Sequence, residues 1–184
     1  MSKPNLHLAC EKLKSGGLIA YPTEAVWGLG CDPYNEQAIT KLLKLKQRSI
    51  EQGLILVAAN TDQIAPLLAT LTDLQREQLN ESWPGPITWL IPDRLNLYPA
   101  WIKGSHHSVA IRVSAHPLVK ELCEIFGNPI VSTSANLAGQ PEIRSRLKIA
   151  ELFRHSIACI VSGELGSETR TSEIRDLDSG RVIR

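Results

Sequence analysis

Residues 54–59, Leu-Ile-Leu-Val-Ala-Ala, are six apolar residues in a row, closed off by Gly53 and Asn60. A run of that length is too short for a stable helix and fits a fully buried strand. Similar short runs recur. Residues 18–21 are stopped by Pro22, residues 87–91 follow the rigid turn Trp83-Pro84-Gly85-Pro86, and residues 108–113, 129–131 and 157–161 complete the set. Helical patterns lie between them. Leu6, Ala9, Cys10 and Leu13 share one helical face that ends at Gly16-Gly17, and Asn35 is placed to cap a helix running through Lys46. Further helical segments fall near 62–71, 73–82, 117–126 and 145–154. Thr72 and Gln75 have capping-box spacing, and Gly127 closes the segment after Pro117. Residues 26–31 are extended but contain Gly28 and Gly30, which marks a bulge or a close backbone approach. A short hairpin is expected about Asp178-Ser179-Gly180. Buried strands alternating with helices predict an α/β (α+β) fold with a largely mixed sheet, in one domain spanning 1–184.

Composition narrows the function classes. With 184 residues, 43% hydrophobic and 21% charged, the chain suits one soluble domain with a substantial core. Twenty basic against nineteen acidic residues give a net charge of +1, which is not the balance of a protein that lives on a nucleic-acid backbone, although it leaves room for a local basic cleft. Cys10, Cys31, Cys123 and Cys159 are scattered among apolar neighbours, which fits core packing in a reducing compartment. The histidines form no pair at metal-ligand spacing, so no metal site is expected. There is no apolar run long enough for a membrane span, and Lys12 and Lys14 interrupt any signal-peptide core; a cytoplasmic location follows as the expectation.

Polar residues then appear where apolar ones would be ordinary. The strand at 129–131 runs into Ser132-Thr133-Ser134-Ala135-Asn136. Hydroxyls and an amide at a strand's C-terminal end are either a capping cluster or a ligand site. Lys46 falls on the same helical face as Ile39, Leu42 and Leu43, so it must snorkel, pair or reach into a cleft; the helix macrodipole alone would also favour it there. Arg48 serves the same ligand as Lys46 only if the helix ends or unwinds near Gln47. Arg112 sits inside the apolar run Val109-Ala110-Ile111-Arg112-Val113 and needs an anionic partner, either a structural carboxylate or a ligand; Ser108 is on the same strand face. In Tyr21-Pro22-Thr23-Glu24, Thr23 can present its hydroxyl at a strand end, or the motif is a plain turn. Arg144, Ser172, Arg175 and Arg184 are candidates by position only. Trp83 and Trp89 read as packing residues. The chain has neither G-x-x-x-x-G-K-[ST] nor G-x-G-x-x-G, so a nucleotide would bind without a P-loop or a Rossmann turn.

Taken in order, Tyr21-Pro22-Thr23-Glu24, Lys46-Gln47-Arg48, Trp83-Pro84-Gly85-Pro86-Ile87-Thr88, Ala110-Ile111-Arg112-Val113 and the 132–136 motif resemble the YrdC-like family, most closely its short bacterial threonylcarbamoyl-AMP synthases. Ser172-Glu173-Ile174-Arg175-Asp176 resembles the same short form. The resemblance implies a twisted mixed sheet flanked by helices around a positively charged cavity. It implies an enzyme that makes threonylcarbamoyl-adenylate and pyrophosphate from L-threonine, bicarbonate and ATP, with Mg²⁺ carried on the nucleotide phosphates. Partner proteins would then use the adenylate to modify the adenosine beside the anticodon of tRNA. Lys46 and Arg48 would be the catalytic pair on the ATP phosphates, with Ser108, Ser132, Ser134, Asn136, Arg144 and Arg184 completing the nucleotide site. Thr23, Arg112, Ser134 and Ser172 would hold threonine, Arg112 as a bidentate partner of its carboxylate. Two departures stand out. Gln52-Gly53-Leu54 replaces a usual basic-Pro-Leu, and the sequence has no room for the second domain of the longer relatives. The competing reading is a non-catalytic RNA-binding or ribosome-maturation factor using Lys41, Lys44, Lys46 and Arg48 along an RNA groove. Direct tRNA or double-stranded-RNA binding is compatible with either reading.

Overall fold

The structure, a computed structural model, describes residues 3–137 and 139–184. Helix α1 (Lys3–Lys14) is followed by strands β1 (Ile19–Pro22) and β2 (Trp27–Gly30), helix α2 (Glu36–Lys46), a 3-10 turn (Ile50–Gln52) and β3 (Ile55–Ala58). A second 3-10 turn (Thr61–Ile64) leads into α3 (Ala65–Leu68), then α4 (Asp73–Ser82), β4 (Ile87–Pro92), α5 (Ala100–Lys103) and β5 (Ser108–Val113). The remaining elements are α6 (Pro117–Phe126), β6 (Ile130–Val131), β7 (Thr133–Ser134), α7 (Arg146–Phe153), β8 (Cys159–Ile160) and β9 (Glu173–Asp176).

The mixed pairing expected from the sequence is present, but it is divided between two sheets. One has the order β7-β2-β1-β8 and the other β6-β3-β5-β4-β9. In the first, β1 is antiparallel to β2 and parallel to β8; in the second, β3 is parallel to β5 and antiparallel to β6. The most direct crossing between them falls at the hydroxyl motif, between β6 and β7. Ser132 N still donates to Ile55 O on β3 (2.8 Å), whereas Thr133 and Ser134 pair with Leu29 and Gly28 on β2. One short stretch of chain therefore passes from one sheet to the other, and it is the stretch that carries Ser132, Ser134 and Asn136.

Alternation along β1 and β3 explains why their sequences are apolar throughout. Ala20, Leu56 and Ala58 enter the larger core with Trp27, Ile39, Leu42, Ile111 and Phe153. Ile19, Tyr21 and Val57 enter a second core, where α1 and α6 pack through Leu6, Leu13, Leu118 and Leu122. Strands buried on both faces lose the polar half of the alternating pattern. All four cysteines are buried free thiols.

Several short elements have no counterpart in the sequence reading, the 3-10 turn Ile50–Gln52 among them. Helix α5 is a single turn, β7 lies inside the hydroxyl motif, and β9 is a charged edge strand whose Arg175 covers the Trp89 ring at 5.9 Å and pairs with Glu173. The segment near 62–71 is broken because Pro66 cannot donate a backbone hydrogen bond. The hairpin turn about residues 178–180 is present, with Asp176 N donating to Arg181 O (2.9 Å) and an antiparallel bridge from Arg175 to Val182.

Helix α2 is the element that positions the site, and its N-terminus is held by Asn35, whose Oδ1 accepts from Ala38 N at 2.9 Å. Asn35→Ala is expected to remove about 1 kcal/mol of stability. Denaturant unfolding should show a lowered midpoint with an unchanged slope.

Candidate active site

Helix α2 stops where two cations require it to stop. Gln47 takes a left-handed conformation (φ 49°, ψ 44°), and Arg48 N returns to Leu43 O at 3.0 Å. The turn carries Arg48 away from the helix path. Its Nη2 donates to Gly53 O (2.9 Å), while its buried Nε has no partner among the described residues. Gly53 itself has φ +64°, which proline cannot adopt, so this loop is shaped differently from a basic-Pro-Leu sequence.

Lys46 is buried, as its position on the apolar face of α2 requires. Its ammonium donates to Ser134 O (2.6 Å), Asn136 O (2.5 Å) and Asn136 Oδ1 (2.8 Å). Ser134 Oγ donates to the same Asn136 Oδ1 at 2.7 Å, and Asn136 Nδ2 donates to Gln140 O at 2.7 Å. Two motifs nearly ninety residues apart are thus one hydrogen-bonded unit. All three ammonium protons are used in holding the turn. Burial and the nearby Arg48 charge push the Lys46 pKa down to about 8, with Glu142 opposing them. Burial, followed by the Arg184 charge, also lowers the Arg48 pKa.

Arg112 projects from β5 on the face opposite Ile111 and meets a carboxylate. Its Nη1 lies 2.6 Å from Glu24 Oε1, and both side chains are about nine-tenths buried. Ser114 Oγ donates to the same Oε1 at 2.6 Å. Glu24 directly follows Thr23 at the end of β1. Thr23 Oγ1 donates to Val26 O (2.7 Å), which leaves its lone pairs free to accept. Burial would push the Glu24 carboxyl up, but the Arg112 charge and the hydrogen bonds from Arg112 and Ser114 outweigh it and hold the group at about 2.

These groups border one cleft that is partly open to solvent. Thr23, Arg48, Arg112, Ser132, Ser134, Ser172 and Arg184 line it. Arg144 lines a contiguous extension and donates to Thr169 O at 2.6 Å. Lys46 and Asn136 are joined to the cleft through Ser134 rather than lining it themselves. Ser172 Oγ accepts from the buried Thr88 Oγ1 at 2.9 Å, so the last residue of the Trp-Pro-Gly-Pro-Ile-Thr motif positions it. Arg184 Nη2 donates to Ser172 O at 3.3 Å. Ser108 is not brought in. It pairs with Pro92 at the far end of β5, about 13 Å along the strand from Arg112, and is absent from the described lining.

The sequence reading did not select Glu24, Glu142, Glu168, Arg170 or Thr171, all of which line the cleft. Glu24 was within reach, being the residue after Thr23 and an acid for a strand-buried arginine. Arg170 and Thr171 directly precede Ser172. Glu142 lies in a polar loop and has no distinguishing signal.

A mixed α/β protein with a buried arginine, hydroxyls and a lysine-held amide turn at its strand ends has the groups that small anionic ligands require. Comparison with known proteins places it more closely. The chain belongs to the Sua5/YciO/YrdC family, whose model, described as Telomere recombination, matches residues 11–184. It is 50% identical to a threonylcarbamoyl-AMP synthase of Cellvibrio japonicus over 98% of this chain and 95% of that one. It is 52% identical to a protein of the same name from Pseudomonas aeruginosa over 96% and 94%. Among solved structures, Pyrococcus abyssi Sua5 complexed with L-threonine superposes with a TM-score of 0.91 at 30% identity. All of this chain is covered there, but it spans 54% of the Sua5 chain.

The depressed Glu24 carboxyl has a consequence for stability. The ordinary glutamate value is 4.5 and the folded value is about 2. The pair therefore stabilises the fold fully above about pH 4.5 and loses that contribution as pH falls through about 2. Its size is of the order of 3 kcal/mol. Denaturant unfolding followed from pH 6 to pH 2 should show this loss, and Glu24→Gln should flatten it.

Proposed function

We propose that this chain is a threonylcarbamoyl-AMP synthase, forming L-threonylcarbamoyl-adenylate and pyrophosphate from L-threonine, bicarbonate and ATP. The observation that carries the reading is the Lys46–Ser134–Asn136 unit, which sets Ser134 in the wall of the cleft that Arg48 also lines, with the Lys46 ammonium directly behind it. Its near-full-length identity to synthases of that name supports the same conclusion.

In this reading the amino acid enters between Thr23 and Arg112. Arg112 takes its carboxylate, and Thr23 Oγ1 accepts from its hydroxyl, with Ser134 and Ser172 nearby. ATP lies across Arg48, Ser132 and Ser134, with Arg184 and Arg144 at the open end. A phosphate oxygen arriving beside Ser134 replaces one of the oxygens on the Lys46 ammonium. Lys46 and Arg48 would hold the nucleotide phosphates, and Mg²⁺ carried on those phosphates would supply further positive charge. The threonine N-carboxylate and the α-phosphate are both anionic, so the site must bring like charges into line. Cations fixed in a cleft shielded from water suit that task better than a general acid or base. The whole of 1–184 acts as one catalytic domain. Its product goes to tRNA-modifying partner proteins in the cytoplasm, and the enzyme itself can touch tRNA. Among the described residues no helix is long and apolar enough to cross a membrane.

The non-catalytic RNA-binding alternative uses Lys46 as a phosphate contact along an open groove, whereas its ammonium is buried and committed to Ser134 and Asn136. The deciding experiment is incorporation of labelled bicarbonate with ATP, with and without L-threonine. Incorporation should depend on all three reactants, and incorporation indifferent to threonine would defeat the reading. Arg48→Ala should lower threonine-dependent pyrophosphate release by about 100-fold or more without loss of the folded state, measured together with the thermal transition.

A further inference from the structure

We infer that Glu24 is a positioning residue. It orients Arg112 for the amino-acid carboxylate and joins that site to the 164–172 segment that closes the other side of the cleft. The inference rests on the assignment of Arg112 to that carboxylate. Arg112 is a long side chain leaving a strand, and alone it could point its guanidinium in several directions. Glu24 Oε1 removes that freedom by holding Nη1 at 2.6 Å, and Glu24 is itself fixed by Ser114 Oγ at 2.6 Å. Ser114 is held in turn, accepting from His116 N at 3.2 Å, and the His116 ring meets Glu164 O at 3.1 Å.

The main chain of the same turn does a second job. Thr23 O accepts from Gly166 N (2.9 Å), and Glu24 O accepts from Glu168 N (3.0 Å). This docks the segment that presents Glu168, Arg170, Thr171 and Ser172 to the cleft. The fit is close enough that a Cβ on Gly166 would lie 2.8 Å from Glu24 Cα, so the segment approaches only because that residue is glycine.

The pair differs from one that serves the fold alone. A buried ion pair costs less when its remaining donors and acceptors are satisfied. Here Glu24 Oε2 and Arg112 Nε are both buried without a partner among the described residues. Both residues also line the cleft, so the direction in which the pair is held shapes the wall that a ligand meets.

The test is steady-state kinetics on three variants of the full chain, each with its thermal transition recorded. Glu24→Gln keeps the shape and an oxygen for Arg112 but removes the charge. It should raise the KM for threonine about tenfold or more, leave the KM for ATP nearly unchanged and largely preserve kcat at saturating threonine. Ser114→Ala, which touches Glu24 only from behind, should move the threonine KM the same way by less, and it carries the test if Glu24→Gln does not fold. Equal changes in both KM values, or an unchanged threonine KM, would mean a pair that serves only the fold and would overturn the inference. Arg112→Lys separates the two levels. If it leaves the threonine KM unchanged, the carboxylate assignment fails. If it raises that KM while Glu24→Gln and Ser114→Ala do not, only the role given to Glu24 fails.

Discussion

The Lys46 ammonium, shared among Ser134 O, Asn136 O and Asn136 Oδ1, is the contact on which the rest of the site depends. It joins the C-terminal end of α2 to the short stretch in which the chain leaves β6 of one sheet for β7 of the other. A buried amine is costly unless its protons are taken up, and an isolated Ser-x-Asn turn has no reason to hold one shape. Each solves the other's problem. The left-handed Gln47 can then direct Arg48 toward the Gly53 carbonyl and the cleft. Without the lysine, both the seam between the sheets and the direction of the chain after α2 would lose their reference point.

The second fixed point, Arg112 on Glu24, is built on the opposite plan. Lys46 spends its ammonium protons on the oxygens of one turn, whereas Arg112 meets a single carboxylate oxygen that Ser114 also holds. Fully paired buried charges stiffen a structure. The site therefore has a lysine-held turn behind Ser134 and an arginine–carboxylate pair at the end of β1.

Much of this could be read from the residues, for identifiable reasons. A lysine on an apolar helix face and an arginine inside an apolar strand violate the local pattern, and such violations concentrate at functional sites. The same logic required the helix to end at Gln47, and it does. The two readings of Arg112, structural carboxylate or ligand, proved not to be exclusive, since a residue can pair with Glu24 and still line the cleft. Less could be read where the answer depended on distance along a strand. Ser108 and Arg112 share a face, but facing says nothing about a gap of about 13 Å. The division into two sheets was hidden because apolar runs report burial and not which edge a strand joins. Strand β9 was hidden because its residues are half-exposed and charged, which is how an edge strand avoids unwanted pairing.

The electrostatics also constrain how protons move in the proposed reaction. Converting an ammonium and bicarbonate into an N-carboxylate and water leaves one proton to be released. Glu24 cannot collect it, because a carboxyl held at about 2 by Arg112 and Ser114 stays ionised. Lys46, with its pKa lowered to about 8, is closer to titration but has all three of its protons committed to oxygen acceptors. Neither Glu24 nor Lys46 is therefore free to act as the base. The proton goes to solvent, to a substrate oxygen or to another group at the wall, where Glu142 and Glu168 also lie. In the proposed reaction the contribution of Arg112, Lys46 and Arg48 is the placement of two anions rather than the transfer of a proton.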